Sequence, residues 1–145
     1  MKLILLTVVV IILTSGCGSS GPASTNMSSK SFSTLDDKVA FLQKYVRFKR
    51  HYHQLDFTVQ YTNNSGGLVP GPNEWDVRIV AVVPADELTA WTSGLTPSSL
   101  PETGWLTEVP TVIDYSMVTK WFQKGNVVVG VDNLNSVVVY RNLAL

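Results

Sequence analysis

This chain is poor in the residues that do chemistry. It holds one cysteine, Cys17, and two histidines, His51 and His53, in 145 residues. A single cysteine excludes an internal disulfide framework, so the fold must rest on its apolar core. Few thiol and imidazole donors leave little from which to build a metal centre, and no cofactor is implied. His51 and His53 read instead as a basic helix end and the loop after it. Neither sign of charge is in excess, since 11 Lys and Arg balance 11 Asp and Glu. Nothing in that balance suggests nucleic acid as a partner. The sequence also lacks a Gly-x-Ser-x-Gly elbow, a phosphate-cradling glycine loop followed by Lys-Ser/Thr, and any repeat at solenoid period. No catalytic residue is therefore assigned.

A long hydrophobic run is missing as well. The apolar stretch 3–13 (LILLTVVVIIL) is interrupted by Thr7 and has 11 residues, short of the ~17–25 that cross a bilayer as a helix. Lys2 precedes it, and the small residues Thr14, Ser15 and Gly16 follow it, directly before Cys17. A charged, then apolar, then small-residue order is that of an export signal. With the cysteine at its end, it resembles the lipobox of bacterial lipoproteins. That resemblance covers residues 1–17 only and implies cleavage between Gly16 and Cys17, then lipidation of Cys17. Acyl chains such as palmitate on Cys17 would hold the protein at a membrane, each buried methylene contributing about 0.8 kcal/mol. Gly18 stands where an Asp would signal inner-membrane retention. The resemblance thus implies an outer membrane facing the periplasm in a Gram-negative cell, or the outer face of the plasma membrane in a Gram-positive one. Loss of Lys2 leaves ten basic against eleven acidic residues, a mature charge of −1.

Three segments follow from composition: a signal peptide (1–16), a lipidated cysteine with a Ser/Gly-rich tether (17–33), and a globular domain (34–145). The tether has too little apolar surface to offset the entropy of ordering. In the domain, Thr34 and Asp37 fit the N-cap and N3 places of a capping box. Leu35, Val39, Leu42 and Val46, beside Phe41, Tyr45, Phe48 and Tyr52, predict a helix with a wide apolar face. Strands are expected over 55–62 and 75–83, then a short helix over 85–92 ending near Gly94. Residues 96–110 read as a loop, and Asp114 as the cap of a third helix reaching Lys124 and stopped by Gly125. A hairpin closes the chain over 127–131 and 136–141. The expected fold is a single α+β domain, in the order α-β-β-α-α-β-β, with a mainly antiparallel sheet of about four strands packed by two or three helices.

For function, the segment 63–73 (NNSGGLVPGPN) is too long for a tight hairpin turn, and long loops in small domains are mobile or functional. Asn63, Asn64, Gly66, Gly67, Pro70 and Gly71, with Trp75 beside them, form the candidate partner-binding set. Trp75, Trp91 and Trp105 are each either recognition residues or core anchors. The basic residues from Lys44 to Arg50 are either a solvated helix end or an attraction to anionic lipid. The carboxylate pairs Asp36/Asp37 and Asp86/Glu87 suit first helical turns. These features point to a membrane-tethered, non-enzymatic binding or assembly module with a protein partner in the cell envelope. One alternative is an inhibitor or immunity lipoprotein acting against an envelope toxin or hydrolase. Another is a small cell-wall or glycan hydrolase using Glu74 or Asp76. Oligomeric state is not read from the sequence.

Overall fold

A computed structural model describes residues 24–66, 70–99 and 101–145. Gly16, Cys17 and the rest of the lipobox-like segment lie outside the described residues, as does Gly67. Seven strands among the described residues make one antiparallel sheet. They are β1 (Thr25–Ser28), β2 (Gln54–Thr62), β3 (Glu74–Val82), β4 (Thr96–Ser98), β5 (Lys120–Lys124), β6 (Val127–Asp132) and β7 (Val137–Ala144). Their order across the sheet is β1-β2-β3-β7-β6-β5-β4. Two short helices, α1 (Leu35–Leu42) and α2 (Leu88–Thr92), accompany it. The fold is therefore mostly β, which corrects the α+β expectation of about four strands and its order of elements.

Four local readings account for the correction, the simplest being that the stretch 96–110, read as a loop, opens with β4, whose backbone pairs with β5 from Thr96↔Gln123 to Ser98↔Trp121. The helix expected over 114–124 is a turn followed by β5. Asp114 Oδ1 accepts the Ser116 N–H at 2.9 Å, and Val118 N donates to Tyr115 O at 3.1 Å, which closes a turn rather than starting a helix. Trp121 is then buried and Phe122 half-buried, on opposite faces and against different clusters of the core. Because this sheet is covered on both faces, the apolar-polar alternation of a strand is lost there. Gly125 does mark a boundary, but at φ 54° it opens the two-residue turn between β5 and β6. Tight hairpins need a positive φ there, and glycine adopts it without a Cβ penalty.

The first helix is also shorter than its apolar stripe. Thr34 caps it as expected, its side chain accepting the Asp37 N–H at 3.1 Å. After Leu42 the chain leaves the helix and runs across the sheet, where Tyr45, Phe48 and Tyr52 continue to meet aromatic partners. Tyr45 lies 5.6 Å from Tyr61, Phe48 5.3 Å from Tyr140, and Tyr52 6.2 Å from Trp91. Finally, β1 lies within the stretch read as tether. Its residues pair with β2 from Thr25↔Tyr61 to Ser28↔Thr58, so backbone bonding rather than side-chain pattern defines it. The 85–92 helix and the closing hairpin appear where expected, the former as a 3-10 turn (Ala85–Glu87) running into α2.

One face of the sheet packs against α1, the 43–53 segment and α2, around Leu55, Phe57, Val59, Ile79 and Val138. The other packs against a 3-10 turn (Gly104–Glu108) and the residues after it, around Val80, Trp105, Val109, Ile113 and Trp121. Gly130 sits in the second layer, between Trp121 and Val139 in register. A Cβ there would lie 2.6 Å from Val118 Cγ1 and 2.8 Å from both Trp121 Cζ3 and Val139 Cγ2. Both Trp121 and Val139 are buried and have no room to yield. Gly130→Ala is therefore expected to destabilise by about 1–3 kcal/mol through overpacking. A urea midpoint unchanged from the parent would refute this reading.

Candidate functional site

Strand ends and the segment after α1 enclose a cleft of about 660 Å³, within the ~300–1,000 Å³ usual for ligand sites. Tyr61 of β2, Asn73 just before β3, Trp75 at its start, and Tyr140 and Asn142 of β7 supply one side. Lys44, Tyr45, Val46, Arg47 and Phe48 supply the other. The antiparallel register explains the first group. Trp75 pairs with Tyr61 on one side and Ala144 on the other, so residues far apart in sequence meet at one end of the sheet.

The cleft carries a definite chemistry. Its aromatic side chains are half-buried, apart from the more buried Tyr140, and offer ring faces and edges. Asn73 and Asn142 offer amide donors and acceptors, and Asn142 also hydrogen-bonds Tyr140. Burial pushes the Tyr140 phenol up, against the smaller opposing effect of that bond, so it stays protonated at neutral pH. Lys44 and Arg47 are exposed at the rim. Among the described residues neither has a carboxylate at salt-bridge distance, and the lining holds no Asp or Glu. Lys44 instead lies 5.8 Å over the Phe41 ring. The result is an aromatic, amide-bearing concavity with two unneutralised cations at its edge.

Of the partner-binding set read from sequence, Trp75 lines this cleft, joined by Asn73 from the end of the same loop. Asn64 is committed within the loop: its N–H donates to Asn73 Oδ1 at 2.9 Å, its Nδ2 to Pro72 O at 2.8 Å, and its carbonyl accepts the Gly71 N–H at 3.1 Å. Asn63 Oδ1 accepts the Ser65 N–H at 3.0 Å, and the Asn63 N–H donates to Ser24 Oγ at 2.9 Å. Gly66, Pro70 and Gly71 are exposed on the loop and are not among the cleft's lining residues. Trp91 and Trp105 are buried in the two core layers. Tyr45, Phe48, Tyr61, Tyr140 and Asn142 were absent from the sequence-derived set, because nothing in linear order marks residues that meet only across the sheet. The aromatic stripe 41–52 was the one signal, and it reads equally as core.

The basic run divides in function. Arg50 is structural: its Nη2 donates to Ala90 O at 2.9 Å, and its guanidinium lies 5.6 Å from the Phe48 ring and 5.8 Å from the Trp91 ring. His51 pairs with Glu87 rather than with His53, and that hydrogen bond, ahead of the other influences, holds the Glu87 carboxyl below its usual range. No group of three metal-ligating side chains gathers among the described residues.

The carboxylates considered for hydrolysis do not flank Trp75 in space. Successive strand residues alternate in face, so Glu74 and Asp76 point away from Trp75. Asp76 is buried between two guanidinium groups. Arg78 Nε and Nη2 donate to its Oδ2 at 3.0 and 2.7 Å, while Arg141 Nε and Nη2 donate to Oδ1 and Oδ2 at 3.1 and 2.8 Å. Burial alone would raise this carboxyl. The hydrogen bonds from Arg141 and Arg78, with their charges, outweigh it and hold the group below the usual carboxylate range. A general acid for glycoside cleavage needs the opposite shift. Arg78 also pairs with Glu108, and Arg141 lies 5.9 Å from the Trp105 ring, so the network ties β3 and β7 to the covering segment.

No helix among the described residues is long and apolar enough to cross a membrane. Comparison with protein-family models, with curated proteins and with solved structures finds no match to this chain.

Proposed function

We propose that this chain is an envelope lipoprotein whose domain is a non-enzymatic binding module acting through the aromatic cleft. The lipobox-like segment ending at Cys17 supports the anchoring, on the outer membrane of a Gram-negative cell or the outer face of a Gram-positive plasma membrane. The observation that carries the binding reading is the cleft itself. Five aromatic rings, two amides and two cations with no acidic partner among the described residues converge there from distant parts of the sequence. Exposed aromatic concavities of this kind are where binding energy concentrates. The partner expected is a protein of the envelope that presents apolar and hydrogen-bonding groups together.

A photo-crosslinking side chain placed at Asn73, on the cleft lining, tests this in living cells. One discrete crosslinked product is expected, and Trp75→Ala should lose most of it, as truncation of a central aromatic typically costs binding about 2 kcal/mol or more. A product of equal yield in the Trp75→Ala background, or no discrete product, would count against the cleft as the binding site.

A further inference from the structure

The chain leaves its proposed anchor and joins the domain at the same end of the sheet that bears the cleft. Asn63 N–H donates to Ser24 Oγ at 2.9 Å, and Thr25 is paired with Tyr61, a cleft residue. Ser24 is seven residue steps after Cys17. Seven steps of chain, fully extended, reach at most about 25 Å. The nine residues of β3 run about 27 Å from the cleft end to the far end. A lipid at Cys17 thus keeps the cleft end near the bilayer, whereas placing the far end there would demand the whole reach of the linker.

Charge points the same way. Lys44 and Arg47 at the cleft rim, and Lys124 beside the β5–β6 turn, are exposed at this end, with Glu74 and, toward Arg141, Glu102 as acidic residues there. The opposite end carries Asp86, Glu87 and Asp132, set against Arg50, Lys120, His51 and His53, so its cations are offset by carboxylates. We propose that the cleft-bearing end of the sheet docks on the anionic headgroup surface of the bilayer that holds Cys17, with Lys44 and Arg47 on lipid phosphates. The domain then stands with β2, β3 and β7 upright, and whatever the cleft binds is met at headgroup level. This orientation rests on the lipoprotein reading and adds the lipid surface as a partner.

The test uses the full chain, processed in bacterial cells and reconstituted into vesicles of phosphatidylcholine alone or mixed with equal phosphatidylglycerol. A lipid-modified Cys17 has no free thiol, so a single fluorophore can be attached through Gly66→Cys at the cleft end or Asn133→Cys at the far end. A Cβ at Gly66 meets nothing within 4 Å. Quenching by headgroup-labelled nitroxide lipid is expected to be strong at 66 and weak at 133 in the anionic vesicles. Removing the cations in Lys44→Ala/Arg47→Ala should shift the docked population by about fivefold per cation while the chain stays vesicle-bound. Equal quenching at both positions, or indifference to the double substitution, overturns the orientation alone. A chain whose mass shows no lipid and which stays in solution overturns the anchoring reading, and the orientation with it.

Discussion

Asp76→Ala is expected to lower the unfolding free energy by about 3–5 kcal/mol, the cost of leaving a buried charge without its partner. In a domain of this size that lowers the melting temperature by roughly 10–20 °C. Arg78 and Arg141 are directly opposite each other on β3 and β7, and like charges in that position repel. Asp76, two residues along β3, gives both guanidinium groups hydrogen bonds and cancels the repulsion. Its removal leaves Arg78, with a side chain only 8% exposed, facing Arg141 with only Glu108 on one nitrogen. Replacing the whole group, in Asp76→Leu/Arg78→Met/Arg141→Met, should recover most of the loss, because no uncompensated charge then remains. A single substitution costing less than about 1 kcal/mol, the scale of an exposed pair, would show that the network carries no such charge. The pH dependence has a definite sign. The Asp76 carboxyl is held below its ordinary value in the fold, so it binds protons more readily when unfolded. Its contribution is complete above the unfolded pKa of about 3.9 and is lost as pH falls through the lower folded value. The gap between parent and Asp76→Ala in urea melts should therefore stay constant from neutral pH to about 5 and narrow only in stronger acid.

Phe57→Ala is expected to cost a similar amount, about 3–5 kcal/mol, for a fully buried ring whose cavity cannot collapse. Phe57 is 0% exposed. It stacks on Phe41 at 5.8 Å and 8° and meets Phe32 at 5.9 Å, so it joins α1 and the chain before it to the sheet. The ion pair of Lys38 with Asp56 at 2.8 Å is the neighbouring polar tie. Because α1 leads directly into residues 44–48, loosening it also loosens one wall of the cleft. Hydrogen exchange should show protection lost first in α1 and residues 43–48, with β6 and β7 keeping theirs. Uniform loss across all strands would mean that the α1 face has no independent stability.

Linear order made the local features legible. Thr34 with Asp37 is a cap wherever a helix follows. The apolar run of β6 and the Asp132–Ser136 turn identify a hairpin, since Asp132 Oδ1 accepts the Leu134 N–H at 2.8 Å whatever surrounds it. Features that depend on a second surface were not legible. Trp121 and Phe122 suit a helix face as well as a strand covered on both sides, and only packing on the two core layers decides between them. β1 has no pattern of its own, and its pairing with β2 requires an edge that the sequence does not display. In the candidate site, Trp75 was legible as an aromatic beside a long loop. Tyr61, Tyr140 and Asn142 were not, because register brings them together.

By itself, the amino-acid order determined a lone cysteine behind a short apolar run, a chain without an internal disulfide, the cap of α1 and the closing hairpin. Each of these is set by neighbours within a few residues. The seven-stranded order, the placement of Arg78, Arg141 and Asp76 in one buried cluster, and the convergence of the cleft's rings with Lys44 and Arg47 were decided by tertiary structure alone. Strand register sets which side chains share a face, and it is chosen by the burial of both faces at once, a condition that no local stretch of the chain contains.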